Sequence, residues 1–78
     1  MNSIKIDEAL GCIGIRVKRR RLKKGLTQKE LAKLAGIAET TVVAIERGNA
    51  KPNQFVLFKL SRAFDITIDD LVYKNVYL

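Results

Sequence analysis

Few residues in this chain could do covalent or metal chemistry, and the missing types decide as much as the present ones. Histidine does not occur, which removes the usual general base and the commonest metal ligand. The single cysteine, Cys12, permits neither an internal disulfide nor a thiolate metal cluster. A carboxylate such as Glu46 has no histidine and no neighbouring second carboxylate to share acid–base work with. The sequence therefore predicts no enzyme, no cofactor and no metal. What remains is charge. Fifteen Lys and Arg stand against eight Asp and Glu, a net +7, and seven of the nine residues from Arg16 to Lys24 are basic. That balance favours a polyanionic partner, either nucleic acid or an anionic membrane surface. Within the basic run, Arg19, Arg20 and Lys23 have a plainer alternative role as a solvated helix face.

These side chains need elements to position them. Seventy-eight residues allow one small domain, which buries only about 60% of the surface its unfolded form exposes. An apolar content of 47% argues for a folded chain rather than a basic tail. Glycines and the single Pro52 cut the sequence into pieces of helical period. The first runs from about Asp7 to Lys24, with Leu10, Ile13 and Val17 on one face. Gly11 and Gly14 each cost roughly 1 kcal/mol in a helix interior. Arg21 continues the inward stripe, so its guanidinium needs a carboxylate partner. Cys12 reads as a small buried or half-buried residue.

The second piece opens on Thr27-Gln28-Lys29-Glu30, a capping box. Leu31, Leu34 and Ala35 form its apolar face, and Gly36 suits a left-handed stop. A third helix spans 39–47, with Ile37, Val42 and Ile45 inward and Glu39, Thr40, Val43, Ala44 and Arg47 outward. Asn53 caps a fourth, from about Gln54 to Phe64, whose inner stripe is Leu57, Leu60 and Phe64. Thr67 caps a short fifth, from Ile68 to about Tyr73, with Asp69 and Asp70 near the positive end of its dipole. The expected organisation is an N-terminal extension 1–11, a domain 12–73 and a tail 74–78. It is all-α, five short helices.

Two short helices joined by a glycine turn, the second with a polar outer face, have the layout of a helix-turn-helix. Ala32 is the small residue where the two helices cross. At Gly36 a β-carbon would oppose the positive φ that the turn requires. The stretches "LTQKELAKLAGIAETTVVAIERGNAKPN" and "LFKLSRAFDITIDDL" resemble the Cro/cI-type (lambda repressor-like, or XRE) DNA-binding domain from about Val17 to Leu71. The resemblance implies a compact five-helix lambda repressor-like fold, with 28–35 as the scaffold helix and 39–47 as the recognition helix.

Residue roles follow from that resemblance position by position. Gln28 matches a position that contacts a phosphate and braces the recognition helix. Glu39, Thr40 and Ala44 match positions facing base edges in the major groove of double-stranded DNA, and Val43 lies beside them. Arg47, Asn49, Lys51 and Asn53 match positions contacting the DNA backbone. Arg21 and Glu46 match a buried salt bridge, in agreement with the inward place of Arg21. Glu39 suits the amino group of cytosine, and Val43 suits a thymine methyl. Two positions depart from the family: Ala38 stands where a capping Ser or Thr is usual, and Gln54 where an aliphatic residue is.

A homodimer on a palindromic operator is the expected form, since one short helix reads only a few base pairs. Phe55, Phe58, Tyr73, Val76 and Tyr77 are the candidates for its interface. The rival reading is an antitoxin or adaptor that offers the same apolar edge to a protein partner. An RNA-binding role is weaker, because no aromatic pair on a sheet is in evidence. Asp7 and Glu8 interrupt the place of a signal peptide's apolar run, and no stretch approaches the roughly 20 apolar residues of a membrane span. The expected location is cytoplasmic.

Overall fold

The computed structural model describes residues 12–72. Among them it holds five helices and no strand: α1 Ile13–Lys23, α2 Gln28–Ala35, α3 Glu39–Glu46, α4 Gln54–Phe64 and α5 Ile68–Val72. The expected extension 1–11, with the start of the first helix before Cys12, lies outside the described residues, as do Tyr73 and the tail.

Local chemistry fixes most helix ends. Thr27 Oγ1 accepts the Glu30 N–H at 3.0 Å, while the Glu30 carboxylate accepts the Thr27 N–H at 2.8 Å. Two otherwise orphan donors are thus satisfied at the start of α2. Asn53 Oδ1 accepts the Val56 N–H at 2.9 Å and starts α4. Thr67 and Asp70 exchange the same reciprocal pair at 3.0 and 3.3 Å and start α5. Ala38, in extended backbone, offers α3 no side-chain cap. Gly36 ends α2 at φ 74°, a conformation that costs other residues a β-carbon clash.

The core follows from the stripes. Ile13 and Val17 of α1, Leu31 of α2, Val42 and Ile45 of α3, Leu60 of α4 and Leu71 of α5 are all fully buried. α1 packs on α3, α4 and α5, and α2 packs on α3 and α4. Hence α3 has one face clamped between α1 and α2.

Gly14 explains how closely α1 and α3 approach. It is buried, and a β-carbon there would run into the Ile45 carbonyl oxygen and come within 3.1 Å of the Glu46 carbonyl oxygen. The sequence shows only its helix-propensity cost. The structure shows that the cost secures a backbone-to-backbone contact.

Three expectations are corrected. Leu34 is 57% exposed; the buried arc of α2 is Leu31, Ala32 and Ala35, and Leu34 lies about 100° round the helix from its middle. Cys12 is exposed, at the cap position of α1 rather than in the core. The third helix, expected over 39–47, closes at Glu46, and Arg47 is its C-cap, with its N–H bonded back to the Val43 carbonyl at 3.0 Å.

Candidate nucleic-acid interface

The outward side of α3 forms a shallow groove of about 280 Å³, lined by Glu39, Thr40, Val43, Ala44, Arg47 and Asn49. Glu39 and Thr40 are exposed, and Val43 and Ala44 are half-buried and give the groove an apolar floor. Periodicity explains the grouping. With Val42 and Ile45 turned into the core, positions 39, 40, 43, 44 and 47 fall on the opposite side of a 3.6-residue helix. Asn49 joins them because Gly48, at φ 79°, turns the chain back, and the Asn49 N–H bonds the Ala44 carbonyl at 2.9 Å.

The C-terminal end of α3 is held by a charged cluster. Arg21 Nε donates to Glu46 Oε2 at 2.7 Å, and Arg21 Nη2 donates to Glu46 Oε1 at 3.0 Å. The third arm, Nη1, donates to the Leu26 carbonyl at 2.8 Å. Gln28 Nε2 donates to the same Glu46 Oε1 at 3.1 Å. The side chains of Arg21 and Glu46 are only 10% and 3% exposed, so this is a buried two-pronged ion pair with further hydrogen bonds around it. Such pairing is what makes buried charge tolerable. The hydrogen bonds to Glu46 raise the Arg21 pKa above the ordinary arginine value, against the burial that opposes its charge. That stabilisation is complete at lower pH and is lost only as pH rises through the raised value, in strong alkali.

The remaining sequence-selected residues lie apart from the groove floor. Gln28 is half-buried and turned to Glu46, so its bracing geometry is explicit. Lys51 and Asn53 are exposed on the loop between α3 and α4, which Pro52 anchors by being buried. The Asn53 side-chain oxygen, Oδ1, is occupied in capping α4. On α1, Lys18, Arg19 and Lys23 are exposed, whereas Arg20 is half-buried and reaches across to the Asp70 carbonyl at 3.5 Å. Phe55 and Phe58 stand on the outer face of α4 at 76% and 50% exposure, with the Arg62 guanidinium 5.7 Å over the Phe58 ring. The other dimer candidates, Tyr73, Val76 and Tyr77, lie outside the described residues.

A family model described as Helix-turn-helix (HTH_3) matches residues 17–71. The chain belongs to this helix-turn-helix family. It is 39% identical over 56 residues to an uncharacterized HTH-type transcriptional regulator of Archaeoglobus fulgidus, covering 72% of this chain and 80% of that protein. Its structure resembles the restriction-modification controller protein C.AhdI from Aeromonas hydrophila, with a TM-score of 0.75 and 35% identity over 80% of this chain and 94% of that one. It also resembles the P22 c2 repressor, solved with a synthetic operator, with a TM-score of 0.74 and 30% identity over 81% of this chain and 96% of that one.

The matched span takes in α2, the turn at Gly36 and α3, and the outer groove lies on α3. The chain is a DNA-binding transcription regulator of the Cro/cI or XRE type, in a family of regulators rather than enzymes. Among the described residues no helix is long and apolar enough to cross a membrane. One structural residue had no positive signal in the sequence. Gly14 gives this helix-turn-helix its tight α1–α3 seam, and only a partner 31 residues away explains it.

Proposed function

We propose that the protein acts in the cytoplasm as a homodimer that sets two copies of α3 into successive major grooves of a palindromic operator. The observation that carries this reading is the gathering of Glu39, Thr40, Val43, Ala44, Arg47 and Asn49 on one outward groove, on a helix whose other face is fixed to the core. An α-helix fits the major groove, where each base pair shows its own pattern of donors and acceptors. Glu39, Thr40, Val43 and Ala44 are assigned to base edges. Gln28, Arg47, Asn49, Lys51 and Asn53 are assigned to the phosphate backbone.

The base-facing set contains no Arg, Lys, Asn or Gln, and so lacks two-pronged donors. Phosphate contacts then supply most of the affinity, which makes binding steeply salt-dependent. Dimerisation compensates for the short reading length, because two half-sites about 34 Å apart double the sequence read. The outer face of α4, with Phe55 and Phe58 exposed, is the surface assigned to it. The same face supports the second reading, a protein partner held in place of the second copy.

Titration against DNA from upstream of the protein's own gene, with a scrambled duplex alongside at two salt concentrations, tests the proposal. The expected result is tighter binding to the native duplex that survives the higher salt, with Lys51→Ala weakening all sequences about equally. Equal binding to every duplex, lost together as salt rises, would sink the operator reading. A 1:1 complex with a co-purifying protein and no self-association would favour the second reading.

A further inference from the structure

We infer that Glu39 and Val43 together read the edge of a cytosine, and that the base they fit best carries a methyl group at C5. The inference rests on the major-groove role of α3 proposed above. Glu39 and Val43 stand four residues apart on α3, so their side chains are neighbours, with β-carbons about 6 Å apart. Both line the outer groove. Glu39 occupies the first turn, the part of a recognition helix that meets base edges.

The pair joins a pure acceptor to an apolar surface. An ionised carboxylate only accepts hydrogen bonds, while half-buried Val43, continued by Ala44, offers only methyl groups. The four bases answer this pair differently. Guanine shows two acceptors and repels the carboxylate. Adenine offers an amino donor, but its neighbouring N7 acceptor would face valine without a partner. Thymine brings a methyl that suits Val43, yet its O4 would confront Glu39. Cytosine offers the N4 amino group to Glu39, and beside it on the same edge is C5, a carbon. A methyl group at C5 completes the match. 5-Methylcytosine is the one base edge in this set that satisfies both side chains, so cytosine methylation strengthens binding here.

The experiment is selection of bound duplexes from a random pool, followed by anisotropy titrations in which each cytosine of the enriched half-site is replaced in turn by 5-methylcytosine. Wild type, Glu39→Gln and Val43→Ser are compared, with circular dichroism verifying that both variants fold. The expected result is an enriched cytosine whose methylation tightens binding about fourfold, the worth of one buried methyl group. Val43→Ser removes that gain and keeps the preference for cytosine. Glu39→Gln moves the preference toward adenine, whose amino group and N7 a glutamine can bridge. An enriched sequence without cytosine, or one whose cytosines are indifferent to methylation or weakened by it, overturns this inference and leaves the operator reading standing. A pool that yields no enriched sequence overturns both.

Discussion

Glu39 and Glu46 are the first and last residues of the same eight-residue helix, and their surroundings are opposite. Glu39 is exposed at the N-terminus, where the helix dipole favours an anion. Glu46 is at the C-terminus, where the dipole opposes one, and its side chain is only 3% exposed. Position alone would make Glu46 costly, so its presence needs Arg21 and Gln28, which between them give it three hydrogen bonds. The contrast separates two tasks. Seven residues apart, the two lie on nearly the same line along the helix, so the difference is between its ends: the C-terminal end of α3 is satisfied within the molecule, and the first turn keeps its polar groups for something else. The reading role proposed above for α3 needs both, because base contacts discriminate only when the helix that carries them is held in place.

The strongest way to break this contrast is to remove Glu46. Glu46→Ala leaves the Arg21 guanidinium buried without its ion-pair partner, a defect that costs about 3–5 kcal/mol. For a domain of this size that lowers the melting temperature by at least about 12 °C, as measured by circular dichroism. Replacing both partners, Arg21→Met with Glu46→Leu, should recover most of the loss, since burying two charges costs what their attraction returns. If the double variant is no more stable than the single one, the bridge does more than neutralise itself.

The second break is steric. Gly14→Ala gains helix propensity of about 1 kcal/mol, yet the new β-carbon meets the Ile45 and Glu46 carbonyl oxygens. Backbone cannot rotate away as a side chain can, so a net loss of about 2–3 kcal/mol is expected in denaturant unfolding. Gly14→Ala with wild-type stability would mean that α1 and α3 are not in such close contact.

The two glycine positions show what was legible in the sequence. Gly36 announces itself, because the capping box before it and the apolar pattern on both sides require a turn there. The caps at Thr27, Asn53 and Thr67 and the inward place of Arg21 are equally local, written within a few residues of where they act. Gly14 is not, since the atoms that exclude a β-carbon belong to α3. Leu34 misled for a related reason. It belongs to an apolar stripe, but α2 packs chiefly on α3 and α4, and the arc they cover stops short of it. Of the site itself, the grouping of residues 39, 40, 43 and 44 is helical arithmetic. That Asn49 shares their groove depends on the turn at Gly48, and the sequence suggested a backbone role for it by resemblance only.

A third, smaller prediction sharpens the picture of the outer end of α3. Ala38→Ser supplies the cap oxygen that the helix lacks and should raise stability by about 1 kcal/mol. The Ala38 backbone is already extended at φ −72° and ψ 144°, the conformation an N-cap adopts, so no rearrangement is needed. No gain on chemical denaturation would mean that the first turn of α3 is already satisfied.

The smallest effect is the most discriminating, because it tests the two glutamates by the same substitution. Glu39→Gln removes an exposed charge at the favourable end of the dipole and should cost no more than about 0.5 kcal/mol. That loss depends on a charge in water, so it should fade as salt shortens the screening length to about 3 Å near 1 M. Glu46→Gln removes a charge shielded from solvent, and its larger loss should persist at the same salt. Paired unfolding curves at low and high salt distinguish the cases. If both losses fade together, Glu46 is reached by solvent and the C-terminal end of α3 is not the fixed support described. If neither fades, Glu39 is engaged within the molecule, and its carboxylate is not available to a base.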